Sequence, residues 1–158
     1  MSARRWQWRA FDDLSARELY GILQLRALVF VVEQNCPYND LDGFDATAAH
    51  LFLAEQDRVV ACLRLIPPGG KYAEPSLGRV VTHPDVRRTG LGVELMNEGI
   101  RRTEECWPGT PIRIGAQRRL ERFYTDLGFS TVSEPYDEDG IEHVEMLRAA
   151  PDGGARTL

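Results

Sequence analysis

The sequence predicts an α/β fold in which helices flank a central mixed β-sheet. Two kinds of periodicity carry this prediction, because some apolar stretches alternate as strands do and others repeat with helical spacing. Turns rich in glycine, proline and aspartate separate these stretches. The resulting order of elements is β-α-β-β-β-α-β-α-β-β, which is typical of a sheet covered by helices.

The first half of the chain predicts a strand, a long helix and a hairpin. Ser15 and Glu18 have the spacing of a capping box, so a helix is expected to begin here. Apolar residues with helical spacing extend this helix to about Glu33, and a loop over residues 35–48 comes next. The segments with strand character are residues 4–11, 51–55 and 59–66.

The second half predicts four more strands and two helices. The strands are expected at residues 77–82, 112–116, 130–132 and 143–147. The helices are expected at residues 93–106 and 118–127. Gly128 is expected to end the last helix, because glycine readily takes the left-handed conformation of a helix stop.

The bulk properties indicate one domain of ordinary composition. The chain has 158 residues, of which 43% are hydrophobic and 27% charged, enough for one proper core. We expect a single domain over residues 1–150 and a disordered tail at 151–158. The net charge of −5 argues against a nucleic-acid partner, because binding to a phosphate backbone needs a basic face.

The cysteines and the apolar runs indicate the compartment. Three widely spaced cysteines form no Cys-x-x-Cys pair, so neither a disulfide framework nor a metal site is expected. The chain shows no apolar signal core and no run of membrane-spanning length. We therefore expect a cytoplasmic protein with no membrane partner.

A basic, glycine-containing turn is the most informative motif. Helix N-termini present free backbone N–H groups, and arginines beside them add positive charge, so such a turn favours a phosphate. It is not a Walker loop, which needs a lysine after its last glycine, and Leu95 breaks the dinucleotide fingerprint. The sequence therefore predicts a ligand that carries a pyrophosphate. The turn and the start of its helix comprise Arg87, Arg88, Thr89, Gly90, Leu91, Gly92 and Val93.

Two motifs resemble those of the GCN5-related N-acetyltransferase (GNAT) superfamily. Arg87, Gly90 and Gly92 match its Arg/Gln-x-x-Gly-x-Gly/Ala turn. The run from Gln117 to Phe129 is similar to its Asn-x-x-Ala-x-x-Phe-Tyr-x-x-x-Gly-Phe motif, with Gln and Leu at the usual Asn and Ala positions. Longer segments at residues 25–50, 115–129 and 136–143 resemble the ElaA-like branch.

The resemblance implies the acyl-CoA N-acyltransferase fold, with acetyl-CoA as co-substrate and no metal. In that family the glycine turn holds the pyrophosphate, and a backbone N–H of the preceding strand polarises the thioester. Tyr124 takes the position of the residue that protonates the leaving thiolate, although a core tyrosine with a satisfied hydroxyl is an alternative. The implied cofactor-binding residues are Val80, Val81, Thr82, Arg87, Arg88, Thr89, Gly90, Leu91, Gly92, Val93, Gln117 and Tyr124.

The amine acceptor needs a base and a binding site. Glu33 is our first candidate for the base, although a structural ion pair between Glu33 and Arg26 is an alternative. A water chain, His83 and His50 are the other candidates for the base. The acidic loop over residues 39–45 is expected to attract a cationic amine, although a solvated turn is an equal alternative. The expected substrate-binding residues are Arg26, Glu33, Asp42 and Asp45.

These residues together predict an enzyme that moves acetyl from acetyl-CoA to a small-molecule or peptide amine by direct attack. Two alternatives stay open. One is a non-catalytic acetyl-CoA-binding regulatory domain, and the other is an enzyme like the acyl-homoserine-lactone synthases. The residues that match the synthases are Arg26, Phe30, Asp42, Asp45 and Arg64. Exchange of the last hairpin between two copies offers a route to a homodimer.

Overall fold

The strands form two antiparallel sheets that meet at one seam, in a computed structural model that describes residues 4–151. The first sheet has the strand order β1-β2-β3-β4. Its strands are β1 (Gln7–Ala10), β2 (Ala49–Glu55), β3 (Arg58–Ile66) and β4 (Ser76–Thr82). The second sheet has the order β5-β8-β6, with β7 also paired to β8. Its strands are β5 (Ile112–Gln117), β6 (Phe129–Thr131), β7 (Tyr136–Glu138) and β8 (Ile141–Arg148).

Three α-helices connect the strands. They are α1 (Ala16–Arg26), α2 (Leu91–Cys106) and α3 (Glu121–Thr125). The first continues directly into a π-helix, Ala27–Glu33, in which the Gln34 N–H reaches back five residues to the Val29 carbonyl at 3.1 Å. Short 3-10 turns lie at Phe11–Asp13, Asp45–Thr47, Pro84–Val86 and Arg118–Leu120.

The predicted fold class is confirmed, and so is the helix start at Ser15. Its hydroxyl accepts from the Glu18 N–H, and the Glu18 carboxylate accepts from the Ser15 N–H, which completes the capping box. The predicted mixed sheet is divided into two antiparallel sheets. Strand β7 was not predicted, because its three residues adjoin a turn and carry no apolar alternation. Of the tail expected at 151–158, residues 152–158 lie outside the described residues.

The first sheet is covered on both faces. Residues of α1 and of β2 to β4 form one apolar cluster, and α2, α3 and the second sheet contribute to a larger one. Strand β3 is buried along its whole length after Arg58, which explains its continuous apolar run. Gly99 lets α2 approach this strand closely, because a Cβ there would lie 2.8 Å from a Leu63 methyl group.

The seam between β4 and β5 creates the opening of the molecule. The Arg113 N–H at the start of β5 donates to the Pro75 carbonyl, just before β4, at 3.1 Å. Beyond this hydrogen bond the two strands belong to separate ladders, and residues of both line one cleft. The fold thus holds the beginnings of β4 and β5 together and leaves a gap along their later residues.

A buried ionic network ties the loop after the π-helix to the first sheet. Arg26, which is only 1% exposed, donates to Asp40 at 2.9 Å and to Asp45 at 2.7 Å. Arg64 of β3 donates to the same Asp45 at 3.1 Å. The full network comprises Arg26, Asp40, Asp42, Asp45, Arg64 and Arg79. The alternative in which Arg26 pairs with Glu33 is therefore wrong, because Arg26 is used within this network.

Two further observations concern the described part of the chain. Within residues 4–151, no helix is long and apolar enough to cross a membrane. In the same range, no group of three or more histidine, cysteine, aspartate or glutamate side chains is placed to hold a metal ion.

Replacing Arg26 by methionine tests the network. Arg26→Met keeps the apolar stem but leaves Asp40 and Asp45 short of a partner, so unfolding should become easier by about 3–5 kcal/mol at pH 7. Urea denaturation measures this difference. The matched control is Arg101→Met, because Arg101 pairs with glutamates on the exposed face of α2 and should leave the urea midpoint unchanged.

The sign of the pH dependence follows from the aspartates. Burial raises the pKa of Asp45, but hydrogen bonds and charge from Arg26 and Arg64 outweigh it, so the pKa is below its ordinary value. The stabilisation is therefore complete above the unfolded pKa of about 3.9 and is lost as the pH falls through the lower, folded value. Below about pH 4 the urea midpoints of the wild type and of Arg26→Met should converge. A constant difference down to about pH 2 contradicts this assignment.

Candidate active site

The cleft between β4 and β5 has a volume of about 380 Å³. Its walls are β4 and β5 on two sides, the π-helix on a third and the hairpin of β7 and β8 at one end. A hydrogen bond of 3.2 Å from the Cys36 thiol to the Asp139 carbonyl joins the loop after the π-helix to this hairpin. The cleft therefore lies where the two sheets separate.

A β-bulge shapes the β4 wall. Cys62 of β3 pairs with Val81 of β4, and Arg64 of β3 pairs with Gly78 of β4. Between these two pairs β4 has two residues, Arg79 and Val80, where β3 has one, Leu63. Arg79 has a φ of +48°, which is unusual for a residue with a side chain. Such a bulge leaves a backbone group without a ladder partner. Because Gly78 to Thr82 all line the cleft, the bulge lies in the cleft wall.

The bulge is held by the ionic network. Arg79 contacts Asp40 through Nε at 2.7 Å and Asp42 through Nη2 at 3.0 Å, and its guanidinium lies over the Tyr38 ring. These contacts offset the backbone strain of a positive φ, which costs about 1–3 kcal/mol. The loop carboxylates therefore fix the shape of the cleft wall.

The glycine turn forms an open helix N-terminus. Gly90 is the N-cap of α2 with a φ of +84°, and no side chain of the described residues caps the helix. The N–H groups of Leu91, Gly92 and Val93 precede the first intrahelical hydrogen bond, from the Glu94 N–H to the Gly90 carbonyl. Among residues 4–151, no atom apart from its chain neighbours lies within 4 Å of the place that a Cβ on Gly90 would take, so the helix cap itself is open. The predicted anion site has the geometry that anion binding requires.

Tyr124 reaches the cleft from α3. Its ring packs edge-on against Phe123 and Phe129, and the residue is only 7% exposed. Within residues 4–151 its hydroxyl has no hydrogen-bond partner, although the residue lines the cleft. Burial raises the pKa of Tyr124 to about 12. The alternative of a core tyrosine with a satisfied hydroxyl is therefore not what the described residues show.

Glu33 lies at the end of the π-helix and binds the glycine turn. Its carboxylate accepts two hydrogen bonds from the Arg87 guanidinium, at 2.6 and 2.8 Å. Both residues line the cleft and both are more than a third exposed. The Arg87 hydrogen bonds hold the pKa of Glu33 below its ordinary value. Glu33, the predicted base, is thus paired with Arg87, a residue predicted to bind the pyrophosphate.

Comparison with known proteins agrees with this geometry. The family model described as "Acetyltransferase (GNAT) domain" matches residues 18–149. The chain belongs to the GNAT acetyltransferase family. Protein ElaA of Escherichia coli is 40% identical over 145 residues, which cover 90% of this chain and 95% of ElaA. A UPF0039 protein of Synechocystis is 41% identical over 94% of this chain and 97% of its own length.

Solved structures of GNAT-type proteins show the same fold. An acyl-CoA N-acyltransferase from Pseudomonas aeruginosa superposes with a TM-score of 0.89 at 40% identity, over 93% of this chain and all of its own. E. coli ElaA superposes with a TM-score of 0.86 at 38% identity, over 92% of this chain and 99% of its own. The resemblance to the ElaA-like branch is confirmed, and membership of the family identifies the chain as an acyltransferase.

Half of the twelve predicted cofactor residues of this GNAT domain line the cleft: Val80 to Thr82, Arg87, Gln117 and Tyr124. The others form the turn and the open helix N-terminus that follow Arg87 in the chain. Gln117, which replaces the usual Asn, donates to the Gln34 side chain at 3.3 Å and so links β5 to the end of the π-helix.

Of the residues predicted to bind the acceptor, only one lines the cleft. Glu33 lines the cleft, but Arg26, Asp42 and Asp45 do not, because the ionic network holds them behind the β4 wall. Two of the alternative bases also lie elsewhere. His50 is 1% exposed and contacts the Asp45 carbonyl, and His83 caps the turn before α2 by accepting from the Asp85 N–H.

Two features of the site were not predicted from the sequence. Gly78 within a strand is a known signal of a bulge, and it could have indicated the one at Arg79. His143 and Glu138 line the cleft, but their positions depend on the pairing of β7 with β8, which no local pattern showed.

Replacing Glu33 by glutamine tests whether this residue competes with anions for Arg87. The ion pair is exposed, so its loss in Glu33→Gln should tighten binding of inorganic pyrophosphate by roughly two- to fivefold, measured by calorimetry at low salt. Glu94→Gln is the control, because it removes a charge from the first turn of α2 without touching Arg87. An equal gain in both variants indicates a general charge effect and contradicts the competition.

Proposed function

We propose that this protein transfers an acetyl group from acetyl-CoA to a primary amine by direct attack of the amine. The observation that carries the proposal is the arrangement around one cleft of a bulged strand, an uncapped helix N-terminus and a tyrosine hydroxyl without a partner among residues 4–151. Acyl transfer from a thioester requires these three functions: an anion site, a polarising donor and an acid.

The glycine turn supports binding of the coenzyme pyrophosphate. The first N–H groups of α2 provide donors, and the helix dipole and Arg87 provide positive charge. Arg88 and Thr89 lie in the exposed turn that leads to these donors. This arrangement suits a pyrophosphate at the surface with the rest of the coenzyme extended along the gap between β4 and β5.

The bulge supports polarisation of the thioester carbonyl. The bulge at Arg79 and Val80 interrupts the ladder with β3, and we infer that one backbone N–H there is left without a ladder partner. Such a donor is already oriented, so hydrogen bonding to a developing oxyanion needs no reorganisation. The neighbouring side chains are partly or wholly withdrawn from solvent, since Val80 and Thr82 are half-buried and Val81 is buried in the core beneath α1. The strand therefore offers backbone donors to the reaction and apolar side chains to the core.

Tyr124 supports protonation of the leaving sulfur. With its pKa raised by burial to about 12, the phenol keeps its proton at pH 7, and no other described residue competes for that proton. The attacking nitrogen becomes acidic once it is bonded to carbon, and its proton restores the phenol. Tyr124 therefore ends each cycle in the form in which it began.

The geometry weakens the lactone-synthase alternative. The residues that match those enzymes include Arg26, Asp42, Asp45 and Arg64, and these bind one another in the ionic network. Asp42 and Asp45 are therefore not a free carboxylate pair that could bind S-adenosylmethionine. We therefore retain a small-molecule or peptide amine as the acceptor class.

A calorimetric titration of the wild type and of Gly90→Val tests the proposal. The wild type should bind acetyl-CoA with a dissociation constant on the order of micromolar, with no heat from S-adenosylmethionine or ATP. A valine at position 90 forces a φ of +84° on a β-branched residue and blocks the donors, so affinity should fall at least about tenfold. Gly109→Val is the control, since Gly109 has a φ of +74°, open surroundings and a place at the far end of α2. Wild-type affinity in Gly90→Val, or an S-adenosylmethionine signal, contradicts the proposal.

Replacing Tyr124 by phenylalanine separates catalysis from binding. Tyr124→Phe removes only the unpartnered hydroxyl, so kcat for acetylation should fall about 100-fold while acetyl-CoA affinity and thermal stability are retained. Assays of free coenzyme thiol with an accepted amine give kcat. Tyr20→Phe, on the exposed face of α1, is the control. An unchanged kcat in Tyr124→Phe shows that the hydroxyl is not the acid.

A further inference from the structure

One end of the cleft carries ionisable groups that the acetyl transfer described so far does not use. His143 of β8 is 8% exposed and lines the cleft together with Glu138 and Asp139. It lies opposite Gln117 in the β5–β8 ladder and opposite Tyr136 in the β7–β8 ladder. Directly paired residues of an antiparallel ladder share a face, so His143 stands on the same face as Gln117, a predicted coenzyme residue.

We propose that His143 is the general base that accepts the proton of the incoming amine, an inference that rests on the proposed acetyl transfer. Its ring geometry supports this role. The Nδ1 atom lies 2.8 Å from the Ile141 carbonyl, which can only accept, so Nδ1 carries the hydrogen of the neutral ring. The lone pair is therefore on Nε2. This second nitrogen lies 3.5 Å from a carboxylate oxygen of Glu138.

The same end of the cleft is suited to a cation. Glu138 contacts only His143 among the charged groups of the described chain, and the Asp139 carboxylate pairs with no arginine or lysine there. Asp42 and Asp45 differ, because the arginines of the ionic network neutralise them. The attraction for an amine that the sequence assigned to the loop over 39–45 thus belongs to the β7–β8 turn.

The other candidate bases are less suitable. The chain has three histidines, and His143 is the one that lines the cleft. His50 is buried under the ionic network, and His83 uses its Nδ1 atom to cap a turn. Glu33 lines the cleft but accepts two hydrogen bonds from Arg87. Among these candidates, His143 alone combines a free lone pair, access to the cleft and a neighbouring carboxylate that stabilises its protonated ring.

The proposed step conserves atoms and charge. The ammonium group donates one proton to Nε2 of His143, and the resulting imidazolium is stabilised by Glu138. The neutral amine nitrogen then forms a bond to the thioester carbon, and the carbon–sulfur bond breaks. The sulfur takes the proton of Tyr124, and the second proton of the nitrogen returns to Tyr124. An N-acetyl amide and the coenzyme thiol are formed, and His143 releases its proton to solvent.

The experiment compares His143→Ala with the wild type and with Glu142→Gln. Glu142 neighbours His143 in β8, but its carboxylate pairs with Arg118 on the exposed side. Spermidine, tryptamine, lysine and a short peptide with a free N-terminus serve as acceptors, and release of coenzyme thiol is measured. Calorimetry gives the acetyl-CoA affinity of each variant. The His143→Ala reaction is repeated with added imidazole, against blanks without protein.

The proposal expects a kcat about 100-fold lower in His143→Ala, with acetyl-CoA affinity retained and at least about tenfold recovery by imidazole. Glu142→Gln should behave as the wild type. A kcat within about threefold of the wild type, a parallel loss of acetyl-CoA affinity, or a loss that imidazole does not reverse overturns the assignment of the base. If the wild type acetylates none of the amines, the proposed function fails together with this inference, which a failure of His143 alone does not cause.

Discussion

The interaction on which the rest of the structure depends is the buried network of three arginines and three aspartates. It joins the end of α1, the loop after the π-helix, β3 and the bulge of β4. Breaking such a network leaves a buried charge without a partner, so its members are retained or lost together. Because Arg79 stands both in this network and at the bulge, the strain of the cleft wall is supported by contacts made outside the cleft.

Charge is distributed around the cleft in two distinct ways. Behind β4, acidic and basic groups neutralise each other and serve the fold. Around the cleft the pairing is less complete. Arg87 pairs only with the partly exposed Glu33, beside the open start of α2, whereas the Glu138 and Asp139 carboxylates pair with no arginine or lysine among residues 4–151. Positive groups at the glycine turn and carboxylates at the β7–β8 turn suit a reaction between an anionic coenzyme and a cationic amine.

Local patterns in the sequence predicted the features that depend on neighbouring residues. The capping box at Ser15, the glycine turn and the helix that carries Tyr124 all lie within a few residues of their signals. Features that depend on distant pairing were missed or wrong. The partner of Glu33 is Arg87, 54 residues away, and the position of His143 depends on the register of β8 with β5 and β7. Composition and spacing carry no information on such contacts.

At the π-helix, Ala27–Glu33, the deletion of a single residue would change which side chains face the cleft. Its hydrogen bonds span one residue more than those of an α-helix, so the segment accommodates an extra residue between fixed ends. Deleting one residue would allow α-helical spacing between the same ends, and α1 would keep its apolar contacts. The side chains inside the segment would shift relative to the cleft, which Phe30 and Glu33 now line. Related chains that differ here by one residue would therefore share the core and present different side chains to the cleft.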